Sequence, residues 1–78
     1  MSAYLETLRS GSEFHNVSIT SDGFTIAAIN DSPDCMERFN EIVDEAIRNA
    51  SAGDYEISPH RSSRDPSGRW DFAAITIR

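Results

Sequence analysis

Seventy-eight residues with a net charge of −6 and an apolar fraction of 38% describe one small folding unit, and a chain of that length buries only about 60% of the surface it exposes when unfolded. The charge disfavours direct binding to nucleic acid or to an anionic membrane, and no apolar run approaches the ~20 residues that cross a bilayer. The single cysteine, Cys35, excludes an internal disulfide, and the two histidines stand in no Cys/His spacing that would hold a structural zinc.

Ser2 is a candidate N-cap for a short helix carrying Tyr4, Leu5 and Leu8, closed at Ser10-Gly11 where glycine can take the left-handed conformation. Two turns are unstable alone, so residues 1–11 are expected either to dock through Leu5 and Leu8 or to form an arm that orders on binding. Asp22-Gly23 is the signal for a two-residue type I′ hairpin turn. That turn pairs Ser21 with Phe24, Ile19 with Ile26 and Val17 with Ala28. It gathers Val17, Ile19, Phe24, Ile26 and Ala28 on one face and leaves Asn16, Ser18, Thr20, Thr25, Ala27 and Ile29 on the other. Gly23 is then expected at positive φ, and Gly23→Val to destabilise the fold for that reason.

Ser32-Pro33-Asp34 announces a helix, with serine to cap, proline at the first position and acids against the positive end of the dipole. Met36, Phe39, Val43, Ala46, Ile47 and Ala50, flanked by Cys35 and Ile42, continue it to about Ala50, and Gly53 ends it. Asp34 with Arg38 and Asp44 with Arg48 are expected ion pairs on its outer side. Tyr55 and Ile57 alternate as a strand that Pro59 is expected to stop. After a loop over residues 59–68, a last strand from Arg69 to Arg78 carries apolar residues on both faces. It is therefore either a central strand covered on both sides or a strand with a bulge. The expected fold is α+β over residues 1–78: a short N-terminal helix, then ββαββ, a four-stranded antiparallel sheet with one long amphipathic helix on one face.

Charge is unevenly spread, with eleven acids and three arginines in residues 1–59 against two acids and four arginines in residues 60–78. Two candidate partner-binding patches follow. The acidic helix face comprises Asp34, Glu37, Glu41, Asp44 and Glu45, and suits a protein with a basic surface. Its carboxylates run along a helix instead of converging, so a metal site is not expected. The cationic loop comprises His60, Arg61, Arg64 and Arg69 beside Trp70, and suits an anion or an acidic protein patch through bidentate contacts. Internal pairing with Asp65 or Asp71 would occupy the same arginines.

No glycine-rich phosphate loop, metal cluster or nucleophile-base pair marks an enzyme. Cys35 sits near a helix start, but Asp34 and Glu37 oppose a thiolate there, and His15 and His60 have no nucleophile tied to them. No catalytic residue and no cofactor are expected. The N-terminus lacks the basic and apolar regions of a secretory signal, which points to the cytoplasm. The leading expectation is a non-enzymatic, acidic inhibitor or adaptor on a nucleic-acid-handling protein, such as a viral or mobile-element anti-defence protein, with no direct nucleic-acid contact. The rivals are a homodimer or larger structural assembly built through edge strands, and a small anionic-ligand binder or enzyme using His60 and the arginine loop.

Overall fold

The computed structural model, which describes residues 3–51, 53–61 and 68–78, runs α1 (Ala3–Arg9), β1 (His15–Ile19), β2 (Gly23–Ala28), α2 (Pro33–Ala50), β3 (Tyr55–Arg61) and β4 (Trp70–Ile77). The four strands form one antiparallel sheet in the order β1-β2-β4-β3. The last strand inserts between β2 and β3, so β2 and β4 are central and β1 and β3 are edges. Because side chains alternate along a strand, register decides the layers. Phe24 and Ile26 on β2 stand beside Ile75 and Ala73 on β4, and all four are at most 2% exposed under the helices.

Helix α2 forms because its two ends are specified locally and its apolar residues recur every three or four positions. Ser32 Oγ accepts from the Cys35 N–H at 3.3 Å, the Ser32 carbonyl accepts from the Met36 N–H at 2.9 Å, and Pro33 occupies the first turn. Gly53, at φ 89°, donates its N–H to the Ala50 carbonyl at 3.0 Å and closes the helix. Phe39, Val43 and Ala46 are fully buried on its inner side, with Cys35 and Met36 close to it. The expected outer ion pairs are not the ones formed: Arg38 turns to Glu41 at 3.1 Å rather than to Asp34, and the pairs among the described residues do not include Asp44 with Arg48.

Seven residues suffice for α1 because it docks rather than frays. Leu5 and Leu8 join the same core as Phe24 and Phe39. His15, buried at the start of β1, fastens the helix end: its Nε2–H donates to the Leu8 carbonyl at 2.9 Å. The other ring nitrogen, Nδ1, is hydrogen-bonded with Ser12 Oγ at 2.7 Å. Ser12 Oγ in turn accepts from the Phe14 N–H at 3.1 Å. The proposed cap Ser2 lies outside the described residues.

Two expectations are corrected. The first hairpin pairs Val17 with Ile26 and Ile19 with Phe24, so residues 20–22 connect the strands in place of a two-residue turn. Thr20 closes this connection, its N–H donating to the Gly23 carbonyl at 3.0 Å and its Oγ1 accepting from the Gly23 N–H at 3.1 Å. The register differs by two residues from the expected one, which preserves the side-chain parity and hence both face assignments. Gly23 is not among the positive-φ glycines. What requires it is β4: a Cβ there would lie 2.2 Å from the Ile75 carbonyl oxygen. Second, β3 runs through Pro59 to Arg61, which an edge strand tolerates because one of its sides carries no ladder bonds. Of the two alternatives for the last strand, the bulge is the one found: β4 is central, and at its start Phe72 faces His60 while Trp70 faces Arg61, which leaves Asp71 as the extra residue.

Candidate functional site

The regular period of α2 that buries Phe39 and Val43 turns Asp34, Glu37, Glu41, Asp44 and Glu45 to solvent, and all five are exposed. They span about 17 Å of helix at ~1.5 Å per residue. Arg38 neutralises part of Glu41 by their exposed pair. At the N-terminal end of this face, Phe14, Asp34, Glu37 and Arg38 line an open depression of about 370 Å³. Phe14 is half-buried there and supplies an apolar wall beside two carboxylates. Phe14 precedes β1 and carries no pattern that marks it in the sequence. Only the packing of the loop before β1 against the start of α2, where Cys35 Sγ donates to the Phe14 carbonyl at 3.4 Å, brings it to the acids.

The cationic segment is arranged differently. Arg64 lies outside the described residues. Arg61 places its guanidinium 5.1 Å from the centre of the Trp70 ring, and His60 meets Phe72 at a tilt of 53° with ring centroids 5.3 Å apart. Arg69 is half-buried and engaged. Trp70 is half-buried against the core, one side taken by Arg61. Its backbone is clamped to α2 by Asn40, whose Oδ1 accepts from the Trp70 N–H at 2.7 Å and whose Nδ2 donates to the Trp70 carbonyl at 2.9 Å. Sequence reasoning passes over Asn40, a polar residue between Phe39 and Glu41, because its partner lies 30 positions away. The segment is thus tied by ring contacts and clamping to its own fold.

Titration is shifted at two tyrosines under α2. Burial foremost, then the proximity of Tyr55 and Glu45, pushes Tyr4 up to about 12. Asn49 and Arg48 oppose this only in part. The buried Tyr4 hydroxyl has no hydrogen-bond partner among the described residues. Burial, with Asp54 and Glu45, also raises Tyr55, whose hydroxyl donates to the Ala46 carbonyl. Cys35 is buried and both nitrogens of His15 are engaged. Among the described residues no three His, Cys, Asp or Glu side chains gather as a metal would require, and no helix is long and apolar enough to cross a membrane.

No protein-family model matches the chain, and neither a curated protein nor a solved structure matches it. Function must therefore be argued from the surface.

Proposed function

We propose that the chain is a non-enzymatic protein-binding module that docks on a basic protein surface through the outer side of α2. The observation that carries this reading is the depression at the start of the helix, where Phe14 sits beside Asp34 and Glu37 at one end of five exposed carboxylates. A lysine or arginine of a partner can lay its apolar stem on Phe14 and place its charge between the acids. The rest of the stripe offers long-range steering. A basic groove that handles nucleic acid has the complementary chemistry, which makes an acidic inhibitor or adaptor of such a protein the concrete form of the proposal, an anti-defence protein of a mobile element being one example.

Affinity capture from the native host supplies a partner, and surface plasmon resonance at two salt concentrations then tests the mechanism. Glu37→Arg with Glu41→Arg is expected to slow association at least tenfold and to flatten the salt dependence, whereas Phe14→Ala is expected to act on dissociation. Binding indifferent to both the charge reversal and salt would remove this reading.

A further inference from the structure

The two edges of the sheet are unequal. β3 carries features that keep an edge from pairing with another chain: Pro59 within the strand, exposed Glu56 and Arg61, and a register irregularity at His60 and Arg61. β1 has none of them, since His15–Ile19 contains no proline and no Asp, Glu, Lys or Arg and keeps a regular register with β2. Its hydrogen-bond parity is fixed at both ends, where the Thr20 N–H donates to the Gly23 carbonyl and the Ile29 N–H to the Phe14 carbonyl. Asn16 and Ser18 therefore bond to β2, while His15, Val17 and Ile19 turn their N–H and C=O groups away from the sheet. The His15 carbonyl is already met, by the Ser12 N–H at 3.2 Å. Val17 and Ile19 are left presenting two donors and two acceptors with no partner among the described residues. Ile19 is also 62% exposed, more than any other large hydrophobic residue described.

We infer that the β1 edge is a strand-addition site, on which an extended, basic segment of another protein pairs its backbone with Val17 and Ile19. Backbone geometry selects the conformation of this occupant, because outward donors and acceptors repeating every second residue, about 6.8 Å, match another strand. A residue of the added strand directly opposite Ile19 shares its face, so an apolar or β-branched side chain there covers Ile19. Charge selects the rest. Residues 10–31, which hold the hairpin, contain Glu13, Asp22 and Asp31 and no arginine or lysine, and Glu13 and Asp22 stand exposed on either side of β1 in the chain. A segment with a cation at each end complements them. A second copy does not, since antiparallel pairing of two β1 strands runs Glu13 of each copy towards Asp22 of the other. The β1 edge is separate from the outer side of α2, so strand addition needs no docking through the helix.

The probe is a capped peptide, Arg-Thr-Val-Thr-Val-Thr-Arg, titrated to millimolar concentration into the isotope-labelled full chain and followed by NMR and amide exchange. Before peptide is added, the Val17 and Ile19 amides should exchange faster than those of Ser18 and Thr20. Peptide should slow exchange at Val17 and Ile19 and shift their resonances. A peptide N-methylated at both valines, which lacks the facing donors, should bind about tenfold more weakly, as should one with glutamate in place of both arginines. Ile19→Pro removes an outward donor and no bond to β2, so it should weaken binding by about the same factor while the thermal transition holds. Ile19→Lys keeps the backbone intact and sets a cation against the basic peptide, and should weaken binding likewise. Unchanged exchange at Val17 and Ile19 overturns the proposal, as does equal binding of the N-methylated or the glutamate peptide. Shifts confined to α2 overturn it in favour of docking on the acidic helix face alone. Protection of both amides that rises with protein concentration before peptide is added overturns it in favour of pairing between copies.

Discussion

The two faces of one four-stranded sheet are made by alternate residues of the same strands, yet they have opposite chemistry. On the covered face Phe24, Ile26, Ala73 and Ile75 are at most 2% exposed and carry the packing of α1 and α2. On the open face their immediate neighbours Thr25, Ala27, Phe72 and Ala74 stay half-exposed. The difference teaches that a strand's composition reports its two environments separately. β2 reads as a cleanly one-sided strand, whereas β4, bearing Phe72 and Ala74 outward, reads as covered on both sides or bulged, and it is bulged.

The sharpest way to break the comparison is to truncate one aromatic on each face. Phe24→Ala should cost about 3–5 kcal/mol through transfer and cavity terms, a large share of a total stability of roughly 5–15 kcal/mol. Phe72→Ala should cost about 1 kcal/mol or less. Urea unfolding of both variants measures this, and equal losses would show that Phe72 is core and the open face misassigned.

A smaller effect distinguishes the reason for Gly23. Gly23→Ala is expected to destabilise by about 1–3 kcal/mol, because the new Cβ meets the Ile75 carbonyl and backbone must move. The loss should appear as faster amide exchange at Ile77, whose N–H donates to the Asp22 carbonyl at 2.9 Å, with β1 little affected. Damage confined to the β1–β2 turn would favour the turn-conformation account instead.

The smallest effect probes the cover. Tyr4→Phe removes a buried hydroxyl without a partner among the described residues, so it should leave stability unchanged or raise it by up to about 1 kcal/mol. It also changes the alkaline behaviour. A tyrosine with an ordinary value of 10 that rises to about 12 when folded stays protonated while the unfolded chain ionises. Stability is therefore insensitive to this group below pH 10 and falls progressively as pH rises from about 10 to about 12. Thermal transitions at pH 8 and pH 11 should show a smaller drop in Tyr4→Phe than in the parent chain. The residual drop comes from Tyr55, also raised by burial. Identical drops would place the alkaline sensitivity elsewhere.

The sequence by itself determined the element order, both ends of α2, the buried stripe Phe39, Val43 and Ala46, and the two side-chain sets of β1 and β2. These are legible because capping, helical period and strand alternation act over a few neighbouring residues. Parity explains why the face sets survived an error in hairpin register: a shift of two residues leaves every side chain on its side. The acidic stripe of α2 was legible for the same local reason. Tertiary structure alone decided that β4 enters between β2 and β3, and several roles depend on that insertion. It makes Gly23 a point of close backbone approach, lets Pro59 sit in an edge strand, and brings the Trp70 backbone to Asn40. It sets His60 and Arg61 against the aromatics of β4, and the packing of α2 adds Phe14 to the acids. Each of these contacts joins residues far apart in the chain, and the free energy that selects among such pairings comes from packing the whole core, which no short window of sequence contains.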